Sequence, residues 1–244
     1  MKKIDAPTEI IAAEEAPQVS FNRAGLLEGA RLSIPIALGV IGYGLVFGVL
    51  ARQAGLSLLE VFLMSSLVYA GSSQFAVLSL WVLPLPIVPI IFTTLIVNLR
   101  HLLMGAALRP WFSQLRTLPR YTSMFFMADE SWALTMSRFA KGGRNGAFLL
   151  GSGLLMFVAW VGSTSVGRVL GSFVQDPERW GLDFAFTAAI TALLVGMWRG
   201  KSDLLPWLVA AMVAIAAAQW LPGKWYILLG GLAGSLAGVV RNAD

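Results

Sequence analysis

Cysteine is absent from this chain, histidine occurs once, and charge is scarce: 18 Lys or Arg and 13 Asp or Glu among 244 residues. Without cysteine there is no disulfide, no thiolate metal site and no cysteine nucleophile. The single histidine, His101, excludes a multi-histidine metal site within one chain. No cofactor and no metal are expected. Charged residues make up 13%, against roughly 25% in an ordinary soluble domain. What fills their place is apolar: 57% of the chain, with a mean hydropathy of +0.74.

Several apolar runs approach or exceed the roughly 20 residues that cross a hydrocarbon core. The pattern predicts an all-α polytopic membrane protein rather than a soluble domain. The net charge of +5 does not point to nucleic acid, because the basic residues fall between apolar runs instead of gathering in one patch. Residues 1–20 are polar, carry Glu9, Glu14 and Glu15, and lack the apolar stretch of a signal peptide. Residues 1–22 are therefore expected to be a disordered cytoplasmic tail, and residues 23–244 a single transmembrane domain.

The first span is expected within residues 25–52. Glu28 and Arg31 are spaced there as a helical i,i+3 pair, and Pro35 stands near the start of the continuous apolar part, where a missing N–H costs little. Gly44 and Gly48 offer a neighbouring helix a close approach. Further spans are expected at 86–108, 146–170, 180–198, 204–221 and 225–240. The last has Gly230, Gly234 and Gly238 on one face and Trp225, Tyr226 and Arg241 at its ends. No internal repeat is visible.

Two segments are different. Residues 57–83 are interrupted by Gly71-Ser72-Ser73-Gln74, and residues 121–139 carry Asp129-Glu130 at their middle. Each either crosses with a break or re-enters from one side. The arginine loop with Arg109, Arg116 and Arg120 chooses between these. If 57–83 re-enters, that loop lies on the same side as Arg138, Lys141 and Arg144, and every basic cluster is cytoplasmic with both termini; if both segments cross, the loop falls outside. The expected architecture is about six full spans plus two broken or re-entrant segments.

Three polar clusters carry the candidate chemistry. At Gly71, Ser72, Ser73 and Gln74 a helix restarting inside the membrane presents N–H groups that attract a carboxylate. The alternative is a packing kink capped by its serines. Asn98, Arg100 and His101 interrupt the next span, and intramembrane ionisable residues mark transport pathways or pair with one another. Arg100 either holds a carboxylate or serves as the structural counter-ion of Asp129 or Glu130, and His101 is a candidate proton carrier. Asp129 and Glu130 either receive an ammonium group or a proton, or lie in water on an interfacial amphipathic helix. Ser123, Glu130 and Ser137 recur every seven residues, which would turn Glu130 toward partner helices. Asp183 is read as an interfacial charge at a helix start.

Taken in order, Ala70-Gly71-Ser72-Ser73-Gln74-Phe75, then Asn98-Leu99-Arg100-His101-Leu102-Leu103-Met104-Gly105, then Ala128-Asp129-Glu130, resemble the AzlC-like branched-chain amino acid permease family. Ser33-Ile34-Pro35 and Leu182-Asp183-Phe184 are similar too, and the likeness covers about residues 24–241. The family's usual Thr-Asp-Glu is Ala128-Asp129-Glu130 here, without the hydroxyl. The resemblance implies the large subunit of a two-component inner-membrane exporter of branched-chain and other apolar amino acids, coupled to protons, with a small AzlD-like membrane partner. Two rivals stand beside it. One is a scaffold subunit that transports nothing; the other is an intramembrane serine hydrolase with Ser72 or Ser73 activated by His101, for which no G-x-S-x-G motif is present.

Overall fold

The computed structural model describes residues 18–173, 191, 195, 198, 200–221 and 225–242. Residues 1–17 of the expected tail, most of the 180–198 span and Asp183 lie outside them. Among the described residues the chain is helical, and its one extended pairing is an isolated parallel bridge between Ser20 and Asn145.

The long helix α1 (Arg23–Gln53) is started by Asn22, whose side chain accepts from the Gly25 N–H. It runs parallel to α8 (Ala147–Leu170) along most of its length. Glycines on both helices let the backbones touch. A Cβ at Gly29 would run into the Phe148 carbonyl, at Gly48 into that of Thr164, at Gly151 into that of Leu26 and at Gly167 into that of Leu45. Ser33 and Ser152 share a buried 2.6 Å hydrogen bond across the seam. Two details depart from the sequence expectation. Pro35 lies deep inside α1, because the amphipathic stretch before it joins the same helix. Glu28 reaches Arg138 at 2.7 Å, a pairing that brings another helix to the start of α1.

Residues 57–83 fold as two half-helices, α2 (Leu58–Leu67) and α3 (Gly71–Leu78). A capping box between Ser57 and Glu60 starts α2. At that end Arg168, near the finish of α8, donates to the Leu56 carbonyl, and Gly171 packs on Val49 and Arg52. The chain then climbs to the middle of α8, where the Tyr69 ring meets Phe157 at 5.0 Å and Gly71 faces Trp160. Tyr69 makes the turn with φ of +42°, a left-handed conformation uncommon for a side chain of its size. The apolar side of α3 descends along α1, Phe75 meeting Tyr43 and Phe47.

Next come α4 (Ile87–Asn98) and α5 (Arg100–Phe112), nearly continuous and interrupted at Leu99. At 1.5 Å per residue, Ile87 lies about 20 Å along the axis from Arg100. Phe112, a similar distance the other way, packs against Phe139. The 57–83 hairpin thus enters and leaves at the end where α1 finishes.

The second hairpin, α6 (Thr117–Phe125) and α7 (Asp129–Ala140), mirrors this from the other end. Arg120 closes its entry by donating to the carbonyls of Ser113 and Leu115. Its tip touches α8 where Phe126 lies against Gly153 and its ring meets Phe157 at 5.0 Å. It leaves where Arg138 pairs with Glu28 and where Ser20 and Asn22 bond to Arg144, Asn145 and Gly146. Residues 18–22, assigned by the sequence to a loose tail, are thereby pinned to this end, with the Val19 N–H on the Gln114 side chain. The break at residues 126–128 also splits the seven-residue stripe. Ser123 is buried, Ser137 is exposed, and the buried face of α7 is Ser131, Thr135 and Phe139.

The loops with Arg116, Arg120, Lys141 and Arg144 therefore gather at the end where α1 starts, while Arg52 and Arg168 lie at the other. After the undescribed stretch, α9 (Leu204–Trp220) and α10 (Trp225–Asn242) pair through Gly230 and Gly234 against Pro206, Ala210 and Ala214. Four of the described helices, at 23–53, 87–112, 147–173 and 201–220, are long and apolar enough to cross a membrane.

Candidate functional site

The two hairpin tips meet halfway along α8, and a cavity of about 70 Å³ lies between them. From the first hairpin come Tyr69, Ala70, Gly71 and Ser72; from the second, Ala128, Asp129 and Glu130; from α5, Arg100 and His101. Val40 and Tyr43 of α1 and Met156 and Trp160 of α8 complete the wall.

Arg100 is the hub. Its guanidinium donates to the Ser72 hydroxyl and forms an ion pair with Asp129 at 2.8 Å, joining the first turns of α3 and α7. It does not snorkel to an interface, because those two partners hold it at the cavity. The counter-ion role open from the sequence is thus filled by Asp129. Glu130 lies beside it on the cavity wall, with no ion pair within 4 Å among the described residues. His101 Nδ1 is 3.3 Å from the Asn98 carbonyl. As that contact requires an Nδ1–H donor, Nε2 is the nitrogen that takes a further proton.

The remaining sequence candidates point elsewhere. Ser73 does not cap the backbone; its hydroxyl donates to the Ala70 carbonyl at 2.9 Å. Gln74 is buried in a network that holds the first hairpin on α8: it donates to Ser65, accepts from Trp160 Nε1 at 2.9 Å, and Ser65 in turn accepts from Thr164. Asn98 does not line the cavity, and its Oδ1 is buried without a partner among the described residues. Of the eight proposed substrate contacts, five (Gly71, Ser72, Arg100, Asp129 and Glu130) meet at one place. No hydrogen bond joins His101 to Ser72 or Ser73, so the described residues contain no assembled serine–histidine pair.

Tyr43, Tyr69, Met156 and Trp160 were not found by sequence reasoning. Aromatic and apolar residues inside spans look alike whether they face lipid, core or cavity. Tyr43 lines the cavity with a buried hydroxyl that has no partner among the described residues, and that is visible only in three dimensions.

The arrangement offers a cation beside the first N–H groups of α3, two carboxylates across from it, and apolar walls. It suits a small ligand carrying both charges and an apolar remainder.

Residues 35–174 match the family model described as AzlC protein. An uncharacterized membrane protein of Archaeoglobus fulgidus is 33% identical over 176 residues, 71% of this chain and 76% of its own length. The branched-chain amino acid transport protein AzlC of Bacillus subtilis is 26% identical over 80% of this chain and 77% of its own. The inner membrane protein YgaZ of Escherichia coli is 27% identical over 92% and 94%. No solved structure matches.

Proposed function

The chain belongs to the AzlC family, and from that premise we propose that it is a secondary-active exporter of branched-chain and other apolar amino acids. The observation that carries this reading is the convergence of Arg100, Asp129, Glu130 and the start of α3 on one cavity walled by Val40, Met156 and Trp160. The substrate carboxylate competes with Asp129 for Arg100 and the N–H groups of α3. Its ammonium group then takes the released Asp129 carboxylate or that of Glu130 beside it. The branched side chain rests on Val40, Met156 and Trp160. The transport role of the Bacillus subtilis relative supports the substrate class.

Export is coupled to protons carried by His101, Asp129 or Glu130, three of the ionisable groups at the cavity. The protein works in the cell inner membrane with both termini in the cytoplasm. Support for that orientation is the gathering of Arg116, Arg120, Lys141 and Arg144 where α1 starts. A small AzlD-like membrane subunit is its partner, as the family resemblance implies.

Reconstituting the chain with and without such a subunit and following labelled valine tests the proposal. Efflux that collapses with the proton gradient is expected. Efflux from neither preparation would favour a scaffold, and a His101→Gln, Asp129→Asn and Glu130→Gln series that all kept proton-driven export would overturn the coupling.

A further inference from the structure

The two hairpins are related by more than their tips. Both restart a helix after an alanine with non-helical backbone: Ala70 (φ −144°, ψ 90°) before α3 and Ala128 (φ −116°, ψ 168°) before α7. In both, the serine three residues later turns its hydroxyl back onto that alanine's carbonyl, Ser73 at 2.9 Å and Ser131 at 3.0 Å. In both, the backbone N–H one residue further closes the first helical turn on the same carbonyl, Gln74 at 3.0 Å and Trp132 at 2.9 Å.

The offset between these pairs is 58 residues, and it holds well beyond them. It carries the buried Ser65 of α2 onto the buried Ser123 of α6, and Ser79 onto Ser137. It brings the last residue of α2, Leu67, onto the last of α6, Phe125, and the first of α3, Gly71, onto the first of α7, Asp129. It also carries Tyr43 of α1 onto His101 of α5, and both line the cavity. The preceding spans run in opposite directions, and each hairpin dips in from the end its span has just reached. Four serine or alanine identities across a 58-residue offset are too sparse to see in an apolar sequence, so only the shared geometry exposes them.

We propose that residues 31–81 and 89–139 form an inverted repeat whose two hairpins are the alternating gates of the site, α2–α3 closing the end where α1 finishes and α6–α7 the end where α1 starts. The inference rests on the transport reading and adds how the site is reached from each side. Repeats of opposite orientation that meet at a mid-membrane site with helix starts facing the ligand allow one half to rock while the other holds. Arg100 is the tie between them, since it grips Ser72 of one tip and Asp129 of the other. A ligand that displaces Asp129 frees the two tips from each other.

Because the chain has no native cysteine, each gate can be fastened separately. Val40→Cys, on the cavity wall, is the reporter, modified by a membrane-impermeant maleimide in vesicles of either orientation. Ser65→Cys with Thr164→Cys, whose hydroxyls are 3.0 Å apart, fastens the first hairpin to α8 on oxidation. Glu28→Cys with Arg138→Cys, joined by a short bifunctional thiol reagent, fastens the second to α1. The first lock is expected to slow modification from the end where α1 finishes at least tenfold and to spare the other end, with recovery on reduction. The second lock is expected to do the reverse. Two locks that protect the same end, or that leave both ends unchanged, overturn the proposal. The readout needs no substrate, so alternating protection in the reporter together with no valine efflux from the parent protein, which keeps Val40, would keep the gates and refute the substrate instead.

Discussion

Arg100 on α5 and Asp129 at the first turn of α7 form a 2.8 Å ion pair across the cavity, 29 positions apart in sequence. Their side chains are 35% and 44% exposed, so the pair contributes at most about 1 kcal/mol to stability. Its value lies in what it places there. One guanidinium holds both hairpin tips, and a ligand carboxylate must compete with Asp129 to bind.

The first prediction follows. Arg100→Lys keeps the charge but loses the planar fork that holds Ser72 and Asp129 together. Valine efflux should fall about ten- to hundredfold, the equivalent of one lost charged hydrogen bond at about 1.5–3 kcal/mol, and Arg100→Ala should abolish it. Thermal melting in detergent should move little for either. A melting loss as large as the loss of efflux would make the pair structural.

Much of this was readable from the residues alone, for definite reasons. Charge scarcity and apolar runs determine a helical membrane protein, and the break at Gly71 and the acids at Asp129-Glu130 mark both hairpins because polar groups inside hydrocarbon need a stated reason. Which polar side chain faces the cavity was not readable. Ser72 and Ser73 are neighbours of one type, yet one meets Arg100 and the other folds back on Ala70. Gln74 looked like a ligand contact and instead ties the hairpin to α8, a role set by Ser65 and Trp160, which lie 9 and 86 positions away. Pro35 looked like a helix start because the amphipathic residues before it do not resemble a span, although they extend the same helix.

That network yields a second prediction. Gln74→Leu removes the acceptor of the buried Trp160 indole N–H and a donor to Ser65, a cost of about 1–3 kcal/mol for an unsatisfied buried group. The variant should melt earlier, with efflux at low temperature reduced only as far as folded protein is lost. Gln74→Glu, which keeps an acceptor for Trp160, should recover part of the stability. If Gln74→Leu melts normally but raises the KM for valine, Gln74 contacts substrate after all.

The glycine seam between α1 and α8 gives a third. A Cβ at Gly48 meets the Thr164 carbonyl and the Arg168 and Gly167 backbone, atoms that cannot swing aside, whereas a Cβ at Gly39 meets nothing within 4 Å. Gly48→Ala should destabilise by about 1–3 kcal/mol through overpacking. Gly39→Ala should be neutral or stabilising by up to about 1 kcal/mol, because alanine is the better helix former. Thermal unfolding of the two variants side by side measures the difference. Equal behaviour would mean that α1 and α8 do not touch along this face.

Tyr43 carries the last prediction. Its hydroxyl is buried and has no partner among the described residues, its ring packs on Phe75 and Trp160, and it lines the cavity at the position matching His101 in the other half. A buried hydroxyl without a partner is costly unless a ligand supplies one. Tyr43→Phe keeps the ring contacts and removes only that liability, so the empty protein should melt at the same temperature or slightly higher. The KM for valine efflux should rise about fivefold, equivalent to one neutral hydrogen bond of about 1 kcal/mol. Melting in excess valine sharpens the test: the stabilisation that ligand gives the parent protein should shrink in Tyr43→Phe, since a weaker ligand shifts unfolding less at the same concentration. Unchanged KM and undiminished stabilisation by valine would show that the hydroxyl never meets the substrate.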